Sequence, residues 1–168
     1  MTETREFYLT GLRNAHAMEN QALSIMKPQV SRIENYPEVA HRLEQHIAET
    51  ETQIERLETI LEAHGENRSA LKDLALSLGG AMAAMVHAVA HDEIVKNSLA
   101  NFAFENYEIA AYKSLQALAD HIGATGDLGH LQKNLDEEIA MANWLEQNIE
   151  VITLQYATLR ESGDTAKK

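Results

Sequence analysis

Four long stretches of this chain repeat apolar residues at alternating three- and four-residue steps, and each stripe is broken by acids or other polar residues but by no Lys or Arg. The first reads Leu9, Leu12, His16, Glu19, Leu23, Met26, Val30 and Ile33. The second reads Val39, Leu43, His46, Thr50, Ile54, Leu57 and Leu61, with Glu49 one position off it and sharing a face with His46. A third runs Ile94, Ser98, Asn101, Glu105, Glu108, Tyr112, Leu115, Ala119 and Ile122, and the last Leu128, Leu131, Leu135, Glu138, Ala142, Leu145, Ile149 and Ile152. Such stripes are the buried faces of long amphipathic helices, which have to pack against one another.

Punctuation sets the helix boundaries. Two prolines and eight glycines in 168 residues leave few interruptions. Helical segments are expected over about 4–34, 37–64, 69–90, 92–122 and 127–160, divided at Asn35-Tyr36-Pro37, Gly65 and Gly123-Ala124-Thr125-Gly126. Pro28 should kink or break the first near Met26. Short loops join the first to the second and the fourth to the fifth, which makes antiparallel hairpins; the third segment is long enough to cross the bundle. The expected fold is therefore all-α: a ferritin-like four-helix bundle of two antiparallel hairpins with an additional crossover helix. Residues 1–160 form one domain and 161–168 a flexible tail.

Charge and composition exclude several functions. Twenty-six acids against 14 Lys plus Arg give a net charge of −12, which argues against a nucleic-acid partner. With no cysteine, disulfides, iron–sulfur clusters and thiolate chemistry are ruled out. No apolar run is long enough for a membrane span and no signal-peptide core follows Met1, so a cytoplasmic location is expected.

Carboxylates desolvated without a partner are unfavourable by several kcal/mol or take up protons. Glu19, Glu105, Glu108 and Glu138 on apolar seams need neutralising, and two divalent or trivalent cations would do so. Carboxylate oxygen with some imidazole nitrogen suits iron or manganese. Glu19 precedes Glu49 by 30 residues and Glu108 precedes Glu138 by 30, a pseudo-repeat offset by 89 positions that pairs His16 with Glu105 and His46 with Leu135. The two hairpins can thus present their acids at one depth.

The stretches Ala15-His16-Ala17-Met18-Glu19-Asn20-Gln21, His46-Ile47-Ala48-Glu49-Thr50, Phe104-Glu105-Asn106-Tyr107-Glu108-Ile109-Ala110 and Glu137-Glu138-Ile139-Ala140-Met141 resemble the YciE/YciF family of bacterial ferritin-like stress proteins. Asn35-Tyr36-Pro37-Glu38 and Asp92-Glu93-Ile94-Val95-Lys96 bring it nearest the YciE branch. The resemblance implies a four-helix bundle, a dinuclear metal centre and a homodimer, with no firmly assigned reaction. Carried over by position, the metal ligands are Glu19, His46, Glu49, Glu105, Glu108 and Glu138. The cofactors are then two metal ions, iron ahead of manganese, with dioxygen or peroxide as partners. The broader di-iron pattern has a His three residues after a Glu on two helices. Here those positions are Thr52 and Met141, and His46 instead precedes Glu49.

Other residues carry plainer readings. His16 is a core histidine or supports a ligand, His87 and His91 are structural or solvated, and Met82 and Met85 fill gaps in the crossover. Tyr107, Tyr112 and Trp144, near the presumed centre, are read as packing rather than electron carriers. Glu51, Glu55, Glu58 and Glu62 with Arg56 form a solvated stripe. Three functions follow: a dimetal-carboxylate protein that reacts with dioxygen or peroxide, whether ferroxidase-like, peroxide-consuming or of another type; a non-catalytic helical stress or structural protein whose site is vestigial or purely structural; or an oligomeric interaction module using the acidic exterior.

Overall fold

The computed structural model describes residues 3–66 and 90–167. Its helices are α1 (Glu3–Val30), α2 (Pro37–Ala63), α3 (Glu93–His121) and α4 (Leu128–Ser162), the last preceded by a 3-10 turn over Thr125–Asp127. There is no strand among the described residues. The expected third segment, with His87, Met82 and Met85, lies outside them.

Helix α1 packs on α2 and α3, and α4 packs on α3 and α2, so the four form a closed ring. Side-chain pairs fix the directions. Lys27 meets Glu51 and Arg13 meets Glu66 across α1 and the α2 end, while Gln29 meets Asn101 and Glu19 meets Tyr112 across α1 and α3. Every adjacent pair is therefore antiparallel. His64 lies beside Arg5 at one end of the bundle, and Glu93 beside Arg32 at the other. The chain leaves α2 and enters α3 at opposite ends, as two hairpins joined by a crossover require.

The core follows the seams. Leu9, Leu12, Leu57, Leu61, Leu131 and Leu145 are at most 1% exposed, and burying each stabilises the fold by roughly 1.5–3 kcal/mol. Gly65 (φ 90°) and Gly123 (φ 77°) take the left-handed conformation that ends a helix. Glu66 N–H and Ala124 N–H then donate back to Leu61 and Ala119 carbonyls.

Three boundaries differ from expectation. Helix α1 stops at Val30 rather than near Glu34, and it runs through Pro28 instead of breaking at Met26. Pro28 sits in the last turn, where few backbone bonds remain to be lost. Beyond Arg160 the helix continues to Ser162, and the following residues are docked rather than free. Tyr36 Oη donates to the Ala166 carbonyl (2.6 Å), Asn35 Nδ2 to that of Thr165 (2.7 Å) and Ile94 N–H to that of Lys167 (2.9 Å). Two side-chain donors and one backbone N–H, all distant in sequence, hold this segment by its carbonyls, which composition does not reveal.

The opposite end is tied by polar bonds. Tyr8 Oη donates to Asp127 Oδ2 (2.8 Å), His64 Nε2 lies 2.7 Å from the same oxygen, and Arg5 lies 3.0 Å from His64 Nδ1. Burial and the Asp127 hydrogen bond push the Tyr8 phenol well up, so it stays a donor.

Candidate metal centre

Each helix of the ring sends acidic or imidazole side chains toward the middle, because the polar interruption of each seam falls at the same height. Helix α3 supplies Glu105 and Glu108, one turn apart on one face. Helix α2 supplies His46, and α4 supplies Glu138. One ligand atom from each of these four residues lies within 4.8 Å of the others, and all four are buried. His46 Nε2 is 3.2 Å from Glu105 Oε2 and 3.4 Å from Glu138 Oε2. It lacks hydrogen-bond alignment to either.

The oxygens are strikingly short of partners for an interior. Both oxygens of Glu108, both of Glu138, Oε2 of Glu105 and Oε2 of Glu19 are buried without a hydrogen bond among the described residues. Native interiors pair nearly all such atoms. A cation held by these donors would satisfy them together, and carboxylates with one imidazole are chemically suited to iron or manganese.

Electrostatics carries the same message. Burial, then the charges of Glu138, Glu19 and Glu105, push the Glu108 carboxyl well above its usual range. Glu19 is raised by burial and then by Glu138, against an opposing hydrogen bond from Tyr112. Burial raises Glu138 to about 8 even though His46 pulls the other way. Burial alone would lower His46, but Glu105, Glu138 and Glu49 outweigh it and hold the imidazole well up. Without a cation the site therefore retains protons.

Glu19 and Glu49 stand apart from the four convergent groups. Glu19 is fully buried on α1, and its Oε1 accepts a hydrogen bond from Tyr112 Oη. Tyr112 in turn accepts from Asn134 Nδ2 (3.0 Å), and Asn134 Oδ1 accepts from Arg56 (3.0 Å). Glu49, whose side chain is 32% exposed, lies 2.9 Å from His46 Nδ1 and accepts from Arg42 at 3.1 Å. Burial would push Glu49 up, but the His46 bond and the Arg42 charge hold it below the usual range. With a proton kept on Nδ1 facing Glu49, loss of the Nε2 proton to an incoming cation would leave its lone pair directed at the carboxylates, the usual arrangement behind a metal-binding histidine.

Several expectations need correcting. Glu49 does have a basic partner, because Arg42, beside the seam residue Leu43, is buried and reaches it. Glu58 is not part of a solvated stripe: it is buried, and its Oε1 lies 3.3 Å from His16 Nε2. Arg56 turns across to Glu137 on α4 (2.7 and 2.9 Å). Tyr107 is 62% exposed and stacks on Phe104, away from the centre, whereas Tyr112 is in it. In line with expectation, Trp144 packs at the edge of the hydrophobic core and His91 is solvated. The sequence reading missed Arg42 and Asn134; each adjoins a seam leucine, Leu43 and Leu135, which is the signal that could have found them.

Among solved structures, a protein from Xanthomonas campestris pv. campestris matches with 31% identity and a TM-score of 0.78, over 95% of this chain and 99% of that one. YcfI from Rhodopseudomonas palustris matches with 26% identity and a TM-score of 0.67, over 87% and 94%. The E. coli stress protein YciF shares the fold at 21% identity and a TM-score of 0.68, over 89% and 96%. A family profile described as a domain of unknown function, DUF892, matches residues 3–158, and the chain belongs to that family.

Proposed function

We propose that this protein is a metal-carboxylate protein that binds iron or manganese in the bundle core, with His46, Glu105, Glu108 and Glu138 as the central ligands. The observation that carries this reading is the convergence of four buried ligand groups, five of whose six carboxylate oxygens have no hydrogen-bond partner among the described residues. Glu49 orients His46 from behind. Glu19 offers its free Oε2 to a second ion while Tyr112 holds Oε1. When bound, the metal would supply redox chemistry toward dioxygen or peroxide, of a ferroxidase-like or peroxide-consuming kind. The chain's own residues exclude bulk water, neutralise the ions and fix the imidazole tautomer. The family motifs support a stress-related homodimer, nearest the YciE branch.

One observation favours a second reading. Among the described residues only four groups converge closely, while Tyr112 engages Glu19 and Arg42 engages Glu49. A single ion held for stability alone would fit that arrangement. Metal analysis of protein purified without chelator separates the two. About two equivalents, falling to one in Glu19→Ala and to none in Glu138→Ala, supports the dimetal reading. One equivalent unaffected by Glu19→Ala supports the structural ion. Protein that takes up neither iron nor manganese, and gains no thermal stability from either, overturns both.

A further inference from the structure

A row of buried polar residues climbs α3 away from the centre. Glu93, Asn97, Asn101 and Glu105 are all at most 7% exposed. They recur every fourth residue, so they lie on one face about 6 Å apart at 1.5 Å of rise per residue. Asn101 and Gln29 of α1 exchange amide hydrogen bonds at 2.9 and 3.3 Å. Asn97 Oδ1, by contrast, is buried with no partner among the described residues.

Three cavities border this row. A cavity of about 70 Å³ reaches from Ser24 and Pro28 to Gln29 and Asn97. A smaller one of about 10 Å³ lies on the bundle-interior side of Asn97 and Asn101, against Leu43 and Leu145. Another of about 10 Å³ runs from Asn101 to Glu105. The first two share Gln29 and Asn97 in their walls and the last two share Asn101, so the series reaches from exposed Ser24 and Pro28 to a member of the central cluster. Pro28 has no N–H to donate, so the carbonyl of Ser24, a residue of the outer cavity's wall, receives no helix bond from position 28. The nearby Arg32 guanidinium is turned onto Glu93 at 2.7 Å, which offsets its charge there.

Packing alone does not account for Asn97, since an apolar side chain of similar size would leave no orphaned oxygen. We propose that the α1–α3 seam is the route by which a metal ion reaches the centre, with Asn97 Oδ1 as the intermediate oxygen between the Ser24 carbonyl and Asn101. The inference rests on the metal-binding reading above. A desolvating cation needs replacement oxygens at short intervals, and the spacing on α3 supplies them.

The two roles separate kinetically. A residue on a route changes the rates of association and release by the same factor and leaves the dissociation constant alone, whereas a ligand or its support changes affinity. The test uses Co²⁺ as the probe, followed by stopped-flow absorbance on the chelator-treated full chain. Asn97→Leu is expected to slow both binding and release by about tenfold or more, the effect of raising the passage barrier by about 1.4 kcal/mol. Stoichiometry, dissociation constant and Tm should match wild type, and Asn97→Asp should keep the wild-type rate. If Asn97→Leu does not fold, Ala100→Leu obstructs the innermost cavity and replaces it. Wild-type rates in a folded blocking variant overturn the route, as does a change confined to affinity. A wild-type protein that takes up no Co²⁺ overturns the metal-binding reading itself.

Discussion

Replacing Glu138 by Gln should make the metal-free protein more stable, and increasingly so as pH rises. Glu138 is fully buried, and its carboxyl is raised from 4.5 to about 8. A raised acid retains its proton in the folded state while the unfolded chain ionises. Its contribution is therefore intact below about pH 4.5 and is lost as pH climbs toward the folded value. At about 1.4 kcal/mol per pH unit, the wild type is penalised by about 1 kcal/mol near pH 5.5 and by about 4 kcal/mol near pH 7.5. The amide is neutral at every pH and nearly isosteric, so it escapes this penalty, and His46 keeps Glu105 at 3.2 Å. Glu19 and Glu108 are raised in the same direction, so the wild-type slope should be at least that of Glu138 alone. Urea unfolding of chelator-treated wild type and Glu138→Gln at the two pH values reads the difference directly. Saturating Mn²⁺ should reverse the order, because it binds and stabilises only the wild type. A variant less stable than wild type by the same amount at both pH values would refute the uncompensated burial on which the site rests.

Other perturbations report on separate parts of the structure. Glu49→Gln should weaken Mn²⁺ binding by about 10- to 100-fold without abolishing it, as loss of a group that only orients His46 does; equilibrium competition with a chelator measures it, and complete loss would make Glu49 a ligand. Asp127→Ala should destabilise the fold by about 2–3 kcal/mol in urea, since Tyr8 and His64 each lose a partner, with metal affinity unchanged. Deleting residues 165–168 should lower stability by about 1–2 kcal/mol through the lost bonds at Asn35, Tyr36 and Ile94; an unchanged urea midpoint would show that the docking contributes nothing.

The seams were legible because periodicity and loop length are local properties. Leu12, His46, Leu57, Glu108, Leu131 and Glu138 all face inward as the three-and-four spacing requires. Antiparallel hairpins followed from short connections. Orientation within a turn was less legible. Leu23 and Ile54 sit partly buried while their neighbours Ala22 and Gln53 take the interior, since 3.6 residues per turn drifts against a strict seven-residue register. Which acids converge depends on cross-helix partners that a one-dimensional pattern does not carry. Glu19 and Glu49 look like Glu108 and Glu138 along the chain; Tyr112 and Arg42 make them different.

That difference bears on the pseudo-repeat. The 89-residue offset pairs Glu19 with Glu108 and Glu49 with Glu138, which for identical halves would give two equivalent ion positions about a twofold axis. The structure breaks the equivalence on both pairs. In the second hairpin all four oxygens of Glu108 and Glu138 are without a hydrogen bond among the described residues, whereas in the first, Glu19 has one oxygen on Tyr112 and Glu49 is held by Arg42 and His46. The second hairpin also places Glu105 where the first has His16, and His16 turns to Glu58. Three carboxylates thus come from one hairpin and the single imidazole from the other. An ion among the four convergent groups bridges the halves, so its binding should tie the hairpins together and slow their separation. A second ion would have to draw on Glu19 through its free oxygen against the hold of Tyr112. The two positions should accordingly differ in affinity, with the one at His46 filled first.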